Sequence, residues 1–310
     1  MVATGTNVTD LVIFKPGHVL MDEQTLETML VTAFDGVSTL TVVRGFGSVA
    51  AASIASTDAL VIVGSAFAEG AGYATSIQWQ PSAPFNYTQI FKTSFSLTGT
   101  ALKTYLRTGD PYTQSRIRAL RDHSVEMEKA FIFGQRISTT GTNGQAQRTT
   151  QGVMNFISTN ITDFAGTVTE ATWDNTLEQI FRFGSDEKLL LAGGVAINVL
   201  NQMAKNKNTM NTVPLDETYG YRLMEYGTPF GTFFIYKHPL LSTNPTFQSW
   251  GVVLDLDRLK YRPLRDTALQ ENVQNPGDDV RIDQFLTEAG LEVHHEQTHA
   301  LLKNMKAYTA

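Results

Sequence analysis

Phe85-Asn-Tyr-Thr-Gln-Ile-Phe-Lys-Thr-Ser-Phe-Ser-Leu-Thr-Gly-Thr100 is the stretch on which the reading of this chain turns. Apolar and polar residues alternate from Phe91 to Leu97, the period-two pattern of a strand with one apolar face. Gln78-Trp-Gln80 alternates in the same way, and Pro81 and Pro84 break the run between them. The pattern predicts a long two-stranded arm rather than a packed core, with Gly99 and Gly109 at its exit. Trp79, Phe85, Tyr87, Phe91 and Phe95 load the arm with aromatic surface. Exposed apolar surface of that kind marks an interaction site. Laid on a neighbour, it would gain about 25 cal/mol for each Å² buried. The stretch holds no catalytic triad, phosphate loop or metal cage, so the chain reads first as a building block.

Directly after the arm comes the clearest helix. Asp110 can cap it, and Pro111 suits the first helical position, where its missing N–H costs nothing. Ile117, Leu120, Ser124, Met127 and Phe131 recur at three- and four-residue steps and form one face. Arg116, Arg118, Arg121, Glu126 and Glu128 cover the others, and Gly134 supplies the stop. Upstream, residues 8–67 read as a β module. Leu11-Val-Ile-Phe14 ends at the turn pair Pro16-Gly17. Met29 to Phe34 and Ser38 to Val43 flank Asp35-Gly36, a strong hairpin signal. Ala59 to Val63 is a further strand. Downstream, 135–152 reads as an exposed loop, Trp173 to Phe183 as a helix, Lys188 to Ala192 as a buried strand, and Gly194 to Ala204 as a third helix. Lys205 to Thr212 is a polar loop tip. Tyr221–Tyr226 and Gly231–Lys237 form a hairpin, Val252 to Leu256 a strand, and Arg281–Phe285 with Gly290–His294 a last ribbon. The class is α+β.

Composition narrows the functions open to the chain. Its 310 residues carry a net charge of −6, which gives no bulk basic character to attract nucleic acid. Charged residues make up 17%, below the usual quarter, which suits a surface hidden against copies of itself. The absence of cysteine excludes disulfides, thiol catalysis and cysteine-held zinc. No apolar run reaches the roughly 18 residues of a membrane helix, and the N-terminus lacks the basic-then-apolar pattern of a signal peptide.

Four motifs suggest chemistry. His295-Glu-Gln-Thr-His299 matches the H-E-x-x-H pattern of zinc peptidases, in which two histidines share a metal and the glutamate activates water. A third ligand would lie downstream, yet only 11 residues follow His299 and none is Asp, Glu or His. Gly290 to His294 also reads as a strand, so a surface histidine cluster is the better reading. Val43-Arg-Gly-Phe-Gly-Ser48 lacks the spacing and the Lys-Ser/Thr ending of a phosphate loop. Asp255-Leu-Asp257 and Pro276-Gly-Asp-Asp279 offer paired carboxylates, but sit where Asp bonds locally to the backbone of strand ends and turns. Arg116, Arg118 and Arg121 read as a solvated face or as inter-subunit ion-pairing residues.

The order of the parts resembles the major capsid proteins of tailed bacteriophages, the Hong Kong 97-type fold, in the branch with a β module ahead of an extended arm. The residues that carry the resemblance are Phe14-Lys-Pro-Gly-His18, Thr41-Val-Val-Arg-Gly-Phe46, Phe85 to Phe91, Leu97-Thr-Gly-Thr100, Glu126-Met-Glu-Lys-Ala130 with Gly134, Gln151-Gly-Val153, Val253-Leu-Asp-Leu-Asp257, and Gly277-Asp278 through Leu291-Glu-Val293. It implies an N-terminal β module over 1–67 and an extended arm over 68–108 that lies on an adjacent subunit. A spine helix and the first part of a peripheral domain would follow over 109–159. An axial domain over 160–250 and returning peripheral strands over 251–310 would complete the subunit. Relatives carry a further arm ahead of the β module, where this sequence has Met1.

The function implied is a non-catalytic head subunit. It would assemble into hexamers and pentamers around double-stranded DNA, without sequence-specific binding, cofactor, metal or membrane contact. Portal and cement or decoration proteins would be its other partners. Its place would be the virion, after assembly in the host cytoplasm. The expected inter-subunit residues are Trp79, Phe85, Tyr87, Phe91, Phe95, Arg116, Arg118 and Arg121. The alternatives are an encapsulin-like nanocompartment shell and a zinc hydrolase built on His295, Glu296 and His299.

Overall fold

A computed structural model describes residues 2–4, 14–34, 39–55, 58–74, 76, 84–105, 107, 109–207 and 224–309. It divides into two compact units, Met1–Ala83 and Pro84–Ala310.

The first unit is one sheet of β1 (Val2–Thr4), β2 (His18–Asp22), β3 (Thr28–Phe34), β4 (Thr39–Val43) and β5 (Leu60–Ser65), ordered β1-β4-β3-β2-β5. Alternation puts Leu20, Met29, Val31, Leu40 and Val42 on one face, where they bury against Phe14. The β3–β4 pair matches the expected hairpin; its Asp35-Gly36 turn, and Leu11 to Ile13, lie outside the described residues. Gly17 holds φ +93°, and a Cβ there would come within 2.5 Å of the Phe67 ring.

The glycine-rich stretch after β4 serves this unit internally. Arg44 Nε donates to Glu27 Oε1 at 2.6 Å, and its second arm grips Oε2. Gly45 N and Ala52 N donate to the same carboxylate at 2.9 and 3.0 Å. What resembles a phosphate loop is therefore a cradle for the protein's own carboxylate. The Arg44 guanidinium, helped by those two N–H groups and opposed by burial, holds the Glu27 carboxyl down at about 2. A depressed folded value contributes stability above the ordinary value near 4.5 and loses it as pH falls towards about 2. Hydrogen exchange of the full chain is expected to show β2–β4 losing protection through that window. In Glu27→Gln, protection should already be low at pH 7, by roughly 3 kcal/mol, and should fall less across the window, the remaining slope coming from Asp22, whose carboxyl the Thr25 hydroxyl holds below its ordinary value. The figure is at the low end for a broken buried pair because Arg44 keeps part of its surface in water.

The second unit runs β6 (Gln89–Thr98), α1 (Gly99–Lys103), α2 (Pro111–Phe133), β7 (Ile137–Thr140), β8 (Ala146–Thr149), α3 (Val153–Phe156), β9 (Ile161–Asp163), β10 (Thr167–Thr169), α4 (Glu170–Phe181), β11 (Glu187–Ala192), α5 (Gly194–Lys207), β12 (Met224–Gly227), β13 (Thr232–Lys237), α6 (Pro239–Thr243), β14 (Gly251–Leu254), β15 (Leu259–Gln270), β16 (Val280–Val293), β17 (Ala300–Lys303) and β18 (Ala307–Thr309). A six-stranded sheet is ordered β12-β13-β11-β14-β17-β9. Alternate residues serve its two faces. Leu190, Ala192, Val253 and Leu302 pack on Trp173, Leu177 and Ile180 of α4 and Val199 and Leu200 of α5. Val252, Leu254 and Leu301 pack on Val153, Ile157, Leu291 and Val293. Strands β14 and β17 come from beyond residue 250, so this sheet draws on sequence assigned to both the axial and the returning peripheral parts.

A three-stranded sheet ordered β15-β16-β6 carries α2. Asp110 caps α2 by accepting from Tyr112 N and Thr113 N at 3.2 and 3.0 Å, with Pro111 at the first position. At its far end a Cβ on Gly134 would lie 2.5 Å from Thr150 O, so glycine is needed there for close approach.

Four expectations change. Residues 135–152, expected as a loop, hold the antiparallel hairpin β7–β8. The last ribbon is one continuous strand, β16. Its partner β15 was not anticipated. The face of α2 read from its apolar spacing is packed only towards the C-terminal end, where Phe131 meets Phe91: nearer the start Ala119 and His123 are buried instead, whereas Ile117 and Leu120 are 63% and 43% exposed.

Candidate assembly surface

The arm stretch is held inside its own unit. β6 pairs with β16 along its whole length, from Gln89↔Ala289 to Thr98↔Val280. Residues 68–74 form no strand, and Trp79 lies outside the described residues. Phe91 is only 2% exposed, edge-on to His123 and Phe131 with ring centroids 6.5 and 6.2 Å away. Phe95 packs on Tyr112 and Phe285 at 5.8 and 6.3 Å. The expected role of Phe91 as a contact for a neighbouring subunit is therefore corrected, and most of Phe95 is likewise committed inward. The period-two pattern correctly gives β6 one apolar face, but that face meets α2.

His123 fixes the helix to the sheet. Its Nδ1 lies 2.9 Å from Thr93 Oγ1 on β6 and its Nε2 2.8 Å from Thr287 Oγ1 on β16. Burial pushes its pKa down, towards a neutral ring. At the first turn of α2, Tyr112 donates to Asp283 Oδ2 at 2.6 Å. Burial pushes the Asp283 carboxyl up, but the bonds from Tyr112, Asn272 N and Arg281 outweigh it and leave it below the usual range.

The aromatics that remain at the surface stand ahead of β6. Phe85 is 56% exposed, with the Arg136 guanidinium 4.1 Å from its ring centroid. Tyr87 meets Phe85 edge-on at 5.5 Å and carries Arg148 at 5.5 Å. Asn86 locks the segment down. Its Nδ2 donates to Thr150 Oγ1, Gln151 O and Leu291 O at 3.1, 3.1 and 2.8 Å, and its Oδ1 accepts from Gln151 N at 2.8 Å. An open cleft of about 220 Å³ beside Phe85 is lined by Tyr87, Phe156, Arg262 and Glu292. That is smaller than the roughly 300 Å³ at which small-molecule sites begin. On α2, Arg116, Arg118 and Arg121 are all exposed, beside Ile117 and Leu120. The structure thus presents Phe85 and the three arginines outward, leaves Tyr87 half-buried and removes Phe91.

The H-E-x-x-H motif is not on an α-helix. His295 is left-handed at φ 49°, and Glu296–Thr298 is a single 3-10 turn. Glu296 accepts from Ser158 N, Thr159 N and Thr159 Oγ1 at 2.9, 3.3 and 2.9 Å, so it closes a loop instead of facing a metal. His299 is buried and accepts from Asp255 N at 3.2 Å. Burial pushes its pKa down to about 4. Among the described residues, no group of three or more His, Asp or Glu is arranged to hold a metal ion. The first carboxylate pair is structural: Asp255 accepts from Ser185 N and Asp257 N at 3.0 and 3.2 Å. Beside it lies a residue whose role sequence reading missed. Lys188 is buried and donates to Ile180 O, Phe183 O and Thr298 O at 2.7, 2.8 and 2.7 Å.

A family model for the SU10 major capsid protein matches residues 19–306. The chain belongs to this family. The major capsid protein of Pseudomonas phage PaMx41 is 28% identical over 276 residues, which are 84% of this chain and 66% of that protein. The match thus spans just under two thirds of that relative's length. Among solved structures, the SrpI encapsulin complex of Synechococcus elongatus PCC 7942 is similar with a TM-score of 0.50 at 11% identity, over 72% of this chain and 76% of that one. The capsid of Myoviridae phage XM1 is similar with a TM-score of 0.46 at 11% identity, over 92% and 84%. The fold is the α+β Hong Kong 97 type.

Proposed function

We propose that this chain is the structural subunit of a bacteriophage head. It assembles into hexameric and pentameric capsomers of an icosahedral shell that encloses double-stranded DNA, and it performs no catalysis. The reading is carried by the family match over residues 19–306. Physical features support it. Phe85 and the arginine-flanked face of α2 leave apolar and charged surface without a cover in one copy, and a repeated heterologous contact around an axis would cover such surface. The net charge of −6 suits a wall along which DNA slides during filling. Portal and cement or decoration proteins would complete the virion, after assembly in the host cytoplasm.

Negative-stain electron microscopy of the high-molecular-weight fraction of the expressed chain tests the reading. Closed spherical shells are expected. Shells that carry a co-purifying enzyme in place of DNA would move the reading to a nanocompartment, the alternative that shares this fold. Stoichiometric zinc with an activity lost in Glu296→Ala would replace it with a hydrolase.

A further inference from the structure

Two patches of opposite charge sit at one end of the Pro84–Ala310 unit, and one chain cannot join them. The first is the outer face of the N-terminal half of α2. Ile117 and Arg121 each precede a buried residue, Ala119 and His123, by two positions. Two residues on an α-helix turn about 200°, so Ile117 and Arg121 face away from the sheet. Arg118 lies beside them, and Leu120 completes an exposed aliphatic pair with Ile117. Among the described residues no carboxylate pairs with Arg116, Arg118 or Arg121.

The second patch is the tip between β15 and β16. It presents Val273, 41% exposed, with Asp278 and Asp279, which likewise have no ion-pair partner among the described residues. The tip is anchored at the start of α2: Tyr112 bonds Asp283, and Gly99 N donates to Asp279 O at 3.1 Å. It grows from the sheet on which α2 is packed. The basic face looks the other way, so the two patches diverge within one copy.

We propose that the Ile117–Arg121 face of one copy receives the Val273–Asp279 tip of the next. The inference rests on the shell-subunit reading and names one contact within it. Charge complementarity selects the partner, and each patch also carries aliphatic surface. Phosphate has no use for Ile117 and Leu120, so a second copy fits this face better than DNA does. The contact is heterologous, with different patches on the two sides, and repeats until a ring closes.

The test compares particle yield from the unaltered chain, from Arg118→Glu with Arg121→Glu, from Asp278→Arg with Asp279→Arg, and from all four substitutions together. All four positions changed across these variants are exposed, so circular dichroism should be unaltered. Each single-sided reversal is expected to lose particles, and the combined variant to recover them. Because the chain has no cysteine, Arg121→Cys and Asp278→Cys each introduce a lone thiol. A short bis-maleimide should link the two variants when they are assembled as a mixture, and neither alone. Particles from the unaltered chain and from both reversals, with no mixed cross-link, would overturn this contact and leave the shell reading standing. Normal particle yield with less retained DNA in the arginine variant would assign the face to DNA instead. No particles from the unaltered chain would overturn the shell reading and this contact with it.

Discussion

Phe91→Asp is expected to unfold the Pro84–Ala310 unit instead of releasing a folded, unassembled subunit. The ring lies between β6 and α2, in edge contact with His123 and Phe131. Removing a buried phenyl group costs about 3–5 kcal/mol. Placing a carboxylate there adds the cost of an unpaired buried charge, or of protonating it. The sum consumes much of a typical domain's 5–15 kcal/mol. The expected outcome is insoluble protein, or a circular dichroism melt with no cooperative transition. Phe85→Asp serves as the control. Its side chain is mostly in water, so it should stay folded and lose only the Arg136 stacking and whatever rests on that ring. A cooperatively folded Phe91→Asp protein would show that β6 can leave its sheet, and would restore the free-arm reading.

The second large effect is expected at Lys188. Its ammonium group joins the carbonyls at the end of α4 to the turn before β17, and lies 5.6 Å from the Phe181 ring centroid. Lys188→Met keeps the length and apolar stem but orphans three carbonyl oxygens. At about 1–3 kcal/mol for each group left unsatisfied, and with partial relaxation, the loss should be about 4 kcal/mol. That corresponds to a fall in Tm of roughly 8–16 °C for a unit of this size. The pH dependence separates this mechanism from lost packing. Burial pushes the Lys188 pKa from 10.5 down to about 8. Between those values the unfolded chain holds a proton that the folded chain has released, so this group makes folding more favourable as pH rises through the window. The stability gap between the native protein and Lys188→Met should widen from pH 8 to 10.5. A constant gap would assign the loss to packing alone.

Local signals were the legible part of this chain. Asp110-Pro111 marks the start of α2 because capping and the proline ring act within one turn. The β3–β4 pair follows from alternation on either side of Asp35-Gly36. The packed side of the N-terminal half of α2 was illegible because it is built from the small Ala119 and from His123, whose ring bonds the Thr93 and Thr287 hydroxyls, while larger aliphatics face out. β15 was hidden because an edge strand with Lys260, Arg262, Pro263 and Arg265 has no alternating apolar face, and it is bulged between Pro263 and Arg265. β16 read as two fragments because Thr287 and Glu288 interrupt its apolar run. At the site, Phe85 and the arginines were legible as exposed groups. The inward turn of Phe91 was not, since alternation tells which residues share a face and not what covers it. The bonding of Glu27 and Lys188 was illegible because their partners lie far along the sequence or on the backbone.

The pairing of β6 with β16 has a consequence in time. The partners lie between 182 and 200 residues apart. At the roughly 5–20 residues per second of protein synthesis, the Phe91 and Phe95 strand leaves the ribosome about ten to forty seconds before the strand that will cover it exists. The nascent chain spends that interval with its stickiest segment unshielded, at the moment when many identical chains are being made side by side. Chaperone capture of the segment around Phe91, and slower synthesis at lower temperature, should therefore govern how much of this protein reaches its native state.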